Sequence, residues 1–183
     1  MKNLEGKTLV ADHGSQPLVM LKYALKYNGV DWKQIKVVDS GSPDQMEAAF
    51  RSGAGDYIHL QAPVIAGEIL ASVGASMPPV AFSSLCCARA YQTTESYRTF
   101  LTTYARAREW SRTALGEEIA AKEADFFRGV PADVLAATVT RYQELCSWDG
   151  GIEIPRPLYE QALTVFQSVG SIAWRHRYDE VVG

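Results

Sequence analysis

The chain has 183 residues, 47% of them apolar and 21% charged, with a mean hydropathy of -0.11. That length fits one ordinary domain or two small lobes, and that composition lets a chain bury roughly 70% of its unfolded surface, which excludes disorder as the main state. Eighteen Lys and Arg against 21 Asp and Glu leave a formal net charge of -3, too weak a field to draw the chain to nucleic acid or an anionic membrane.

The longest apolar runs, such as 64–66 and 80–82, fall far short of the roughly 20 residues that cross a bilayer, so no direct membrane insertion is expected. The opening Met1-Lys2-Asn3-Leu4-Glu5-Gly6-Lys7 has no apolar core followed by a small-residue cleavage site. A cytoplasmic location is therefore expected for the sequence as it stands. Cys86, Cys87 and Cys146 form no Cys-x-x-Cys pair, and their odd number argues against a disulfide framework. Buried free thiols are the expected state.

The first half alternates short β-like runs with helical patterns, the signature of parallel strands joined by helical crossovers. Residues 7–11 read as a strand, 12–15 as a polar loop, and Pro17 opens a helix whose face is Leu18, Leu21, Lys22 and Leu25 and which Asn28-Gly29 ends. A second strand at 35–38 leads through Asp39-Ser40-Gly41 to Ser42 as N-cap and Pro43 at the first turn of a second helix. Met46, Ala49 and Phe50 form its stripe; residues 56–60 read as a third strand, 64–73 as a helix entered through Gln61-Ala62-Pro63, and 80–82 as a fourth strand behind Pro78-Pro79.

From Thr94 onward strand alternation vanishes and 3.6-residue periodicity takes over. Helices are predicted from a Thr94 cap through Trp110, then over 114–127, 131–147 and 157–169. The fold class is thus α/β, a mainly parallel sheet of about four strands with flanking helices in 1–93, followed by a helical C-terminal region, 94–183, packing on that lobe.

Three loops follow strands and precede helices: Asp12-His13-Gly14-Ser15, Gly41-Ser42-Pro43 and His59-Leu60-Gln61-Ala62-Pro63. In a parallel sheet all three lie at the carboxyl edge, where backbone N–H groups of helix N-termini favour an anionic or polar ligand. Ser83, Ser84 and Arg89 after the fourth strand add hydroxyls and a counter-charge. No Walker A, Gly-x-Gly-x-x-Gly or Gly-x-Ser-x-Gly motif occurs, and His13, His59 and His176 are not at metal-ligand spacing, so neither a catalytic residue, a metal nor a cofactor is expected.

In chain order, Leu4-Glu5-Gly6-Lys7-Thr8-Leu9-Val10-Ala11 with Gly14-Ser15, Leu25-Lys26-Tyr27-Asn28-Gly29-Val30-Asp31, Met46-Glu47-Ala48-Ala49-Phe50-Arg51-Ser52-Gly53 with Gly55-Asp56, and Gln61-Ala62-Pro63 recur as a set. Glu118-Ile119-Ala120, Arg141-Tyr142, Trp148-Asp149, Tyr159-Glu160, Gly170-Ser171-Ile172 and Tyr178-Asp179-Glu180-Val181-Val182 continue it. This order resembles the SsuA/THI5-like (NMT1-like) substrate-binding proteins of ABC transporters, of type 2 periplasmic-binding-protein fold.

The resemblance implies a truncated member, without the first lobe and signal peptide, that binds a small polar or anionic organic molecule and serves an ABC permease. It also implies self-association through the face a missing lobe would cover, giving a homo-oligomer such as a dimer. The ligand-binding residues it and the loop reading point to are Gly14, Ser15, Ser42, Gln61, Pro63, Ser83, Ser84 and Arg89. Two other readings stand beside it: a thiamine-pyrimidine synthase-like enzyme that uses Cys86 and Cys87, and an assembly protein with a vestigial crevice.

Overall fold

The structure is a computed structural model that describes residues 1–12, 16–63 and 67–182. Its residues cluster into two compact units, Met1–Val80 with Pro157–Gly183, and Ala81–Arg156. This division differs from the boundary at 93/94 expected from the sequence pattern, because periodicity along a helix does not say which surface the helix returns to.

In the first unit, β1 (Thr8–Val10), β2 (Lys36–Val38) and β3 (Tyr57–Ile58) form a parallel sheet in the order β2-β1-β3. Thr8, Leu9 and Val10 stand opposite Lys36, Val37 and Val38, while Leu9 and Val10 also face Tyr57 and Ile58. Helix α1 (Gln16–Tyr27) links β1 to β2, and α2 (Pro43–Arg51) links β2 to β3. The central strand alternates its burial: Leu9 and Ala11 join Leu18, Leu21 and Leu25 of α1 in a cluster with Val30 and Ile35. Val10 and Met46 of α2 are also buried, as expected of a central parallel strand covered on both faces.

The fourth strand expected at 80–82 is not a strand, so the sheet has three strands among the described residues. Two consecutive prolines, Pro78 and Pro79, precede that run and cannot donate ladder hydrogen bonds. The helix expected over 64–73 is also absent from 67–73, and Val64, Ile65 and Ala66 lie outside the described residues. Gly67 sits at φ +75°, a conformation no right-handed helix passes through, and Ile69 and Leu70 are exposed. Only a short 3-10 turn, Gly74–Ser76, follows.

Helix α6 (Arg156–Ser168) belongs to this unit from Pro157 onward. Gln161 Nε2 donates to the Tyr23 hydroxyl at 3.0 Å, Lys26 Nζ donates to the Ser168 carbonyl at 3.1 Å, and Val165 is fully buried. Beyond it the short helix α7 (Tyr178–Val181) was not anticipated from the sequence.

The second unit holds α3 (Glu95–Thr113), α4 (Gly116–Glu123) and α5 (Ala132–Glu144). Thr94 caps α3 as expected, accepting from the Tyr97 N–H at 3.2 Å. Helices α4 and α5 pack through Ala120, Leu135 and Ala136, and a Cβ at Gly116 would lie 2.7 Å from the Ala136 carbonyl oxygen. Glycine at 116 is what permits that approach. Helix α4 stops before the expected 127 because the chain turns through Phe126 and Phe127 to Gly129 at φ +88°.

Four helices end alike. After α1, α2, α5 and α6 the N–H two residues past the cap bonds a carbonyl in the last turn: Val30 to Leu25, Ala54 to Ala49, Ser147 to Tyr142 and Ser171 to Phe166, all at 2.9–3.0 Å. This closure needs a left-handed residue just before that N–H. Gly29, Gly53 and Gly170 fill it for three helices, and Cys146, at φ +57°, fills it for α5.

Candidate functional site

Because the three strands are parallel, their carboxyl ends deliver Asp12, Asp39 and His59 to one edge of the sheet. In the order β2-β1-β3 the connection from β1 moves to one side of the sheet and the next crosses back to the other, so the strand order reverses between β1 and β3, the position at which open α/β sheets leave a crevice outside the strand ends. Asp12, two residues past β1, and His59, one past β3, flank that position. The His59 N–H donates to the Val10 carbonyl at 2.9 Å, which fixes the imidazole's backbone to the central strand.

His59 is half-buried, and burial holds its imidazole below the ordinary value, against the upward pull of the Asp12 carboxylate. At neutral pH the ring is therefore uncharged, with one nitrogen to donate and one to accept. Neither residue is among the ligand-binding residues expected from the sequence, although both stand in loops that the sequence places at this edge, since each is among the first polar residues after a strand.

The loop after β2 is organised by its own side chains. Asp39 Oδ1 accepts from the Gly41 N–H at 3.0 Å. Ser42 Oγ accepts from the Gln45 N–H at 3.4 Å while Gln45 Oε1 accepts from the Ser42 N–H at 2.8 Å, a reciprocal capping box. A Cβ at Gly41, φ +88°, would collide with Gln45 Oε1. The first turn of α2 is thus satisfied within the chain, and what Ser42 retains for a ligand is its O–H. Asp44 in that turn complements the helix dipole.

Of the other expected residues, Gln61 is exposed three positions past β3, and half-buried Pro63 follows a cis Ala62-Pro63 bond. Gly14 and Ser15 lie outside the described residues. Ser83, Ser84 and Arg89 are exposed and belong to the second unit, Arg89 opening a 3-10 helix, Arg89–Thr93.

All three cysteines are exposed, contrary to the expectation of buried thiols, because Cys86 and Cys87 lie on an exposed segment and Cys146 occupies the turn after α5. Among the described residues no three His, Cys, Asp or Glu side chains are grouped to hold a metal ion, and no helix is long and apolar enough to cross a membrane. Neither a protein-family model nor a curated protein matches the chain.

Proposed function

We propose that the α/β unit binds a small polar organic molecule, as a solute-binding lobe, at the carboxyl ends of β1 and β3. The observation that carries this reading is the strand order β2-β1-β3, with Asp12 following the central strand β1 and a half-buried His59 following its neighbour β3. The chemistry is recognition by hydrogen bonds. A carboxylate that accepts and a neutral imidazole that both accepts and donates suit a ligand bearing N–H or O–H groups, and the Ser42 hydroxyl and Gln61 amide add polar groups at the same strand edge. The resemblance to transporter-associated binding proteins supplies delivery to an ABC permease as part of the same proposal.

The test is a thermal-shift screen over sulfonates, carboxylates, pyrimidines and amines. A ligand at 100 times its dissociation constant adds about 2.7 kcal/mol of stability. The shift is expected from a donor-bearing ligand and is expected to vanish in His59→Ala and Asp12→Asn. No shift with any class, or a shift that both variants retain, overturns the reading.

A further inference from the structure

On α3, Glu95, Arg98, Thr102, Ala105, Glu109 and Arg112 are all exposed and succeed one another at alternating intervals of three and four. That interval keeps side chains on one stripe of a helix. The stripe carries opposite charges at both ends and two small residues at its middle. Laid antiparallel on a second copy, with the two-fold axis between Thr103 and Tyr104, it complements itself: Glu95 meets Arg112, Arg98 meets Glu109, and Thr102 meets Ala105. Each contact occurs twice, as an isologous interface requires. Parallel pairing in register would instead set every charge against its own kind.

We propose that this stripe is a self-association surface that joins two copies of the chain through antiparallel α3 helices. Three local features agree with it. No residue of the 19-residue helix is buried within one copy. The Thr102 hydroxyl donates to the Arg98 carbonyl at 3.0 Å, so its polar group is turned to its own backbone and its methyl is left for a neighbour. Thr102 and Ala105 are small enough for the helix axes to approach to about 8 Å.

Arg112 already bonds Glu109 at 2.7 Å within the helix. Association places Glu95 and Arg98 of the partner at the two ends of that pair, which builds a row of alternating charges at each end of the interface. Exposed ion pairs are weak singly and screened by salt, and a lone helix pair is small for an interface, so the dimer is reversible and favoured at low ionic strength.

The experiment is sedimentation of the full chain over a range of concentrations, with helicity of each variant checked by circular dichroism. The wild type is expected to dimerise reversibly, less so in high salt. Glu95→Arg and Arg112→Glu each place like charges together twice and should weaken dimerisation by about tenfold or more. The chain carrying both substitutions restores opposite charges and should dimerise to within a few-fold of wild type. A mixture of the two single variants should form a heterodimer more readily than either variant forms a homodimer. The two positions are ~26 Å apart along one helix, so no effect within one copy produces these recoveries. A chain that stays monomeric at every concentration, single variants that dimerise like wild type, or a failure of both recoveries overturns the proposal.

Discussion

The Cys146 N–H donates to the Gln143 carbonyl at 2.9 Å from a left-handed backbone conformation, φ +57°. Three other helices give that position to glycine, which adopts it without a clash between Cβ and carbonyl; an L-residue there is disfavoured by about 1–2 kcal/mol in model backbones. Cys146→Gly is therefore expected to raise the melting temperature by roughly 2–4 °C for a chain of this size, measured by calorimetry, whereas Cys146→Val should lower it.

The same thiol is predicted to be the slowest of the three to react. A hydrogen bond and the negative charge of Asp149 push the Cys146 thiol above its ordinary pKa, and the thiolate is the nucleophile. At mildly alkaline pH, Asp149→Asn should speed alkylation of Cys146 while leaving Cys86 and Cys87 unchanged, as read by peptide mass spectrometry over time.

Acid should destabilise the first unit through His59. Its imidazole is held below the ordinary value near 6.5 by burial. Between the depressed folded value and the unfolded one, the unfolded chain binds more protons, so stability rises with pH and is lost as pH falls through that window. Urea midpoints from pH 5 to pH 8 should show this slope in the wild type and a flatter one in His59→Gln.

The capping box at α2 should behave as a coupled pair. Ser42→Ala is expected to cost about 1 kcal/mol, and Gln45→Ala less, because it removes one acceptor from an exposed N–H. Since each side chain orders the other, the double variant should lose less than the two single losses added together. Urea unfolding of all four chains measures the coupling, and strict additivity would show that the two bonds act independently.

The expected helix starts at Ser42-Pro43 and Thr94 and the helix end at Asn28-Gly29 all hold, because a cap or a left-handed terminus is local chemistry that a few neighbouring residues decide. The apolar stripe of α1 was readable for the same reason: Leu18, Leu21 and Leu25 are each buried. The strand expected at 80–82 does not form, nor does the described part, 67–73, of the helix expected over 64–73, because these short apolar runs had no surface to meet. Periodicity records what a segment could bury, not what lies opposite it.

Ligand-site residues were harder to read than elements. Ser42 was recognised by type, but its oxygen serves its own helix, and Asp12 and His59 become neighbours only when β3 pairs with the far side of β1. Local sequence determined the helix caps and the apolar stripe of α1, since those depend on residues within a turn or two, and the alternation of strand-like and helical segments pointed to a parallel sheet. Tertiary structure decided the strand order, the return of α6 onto α1 and the placing of an imidazole and a carboxylate at the ends of adjacent strands, since each depends on pairing free energies between segments distant along the chain.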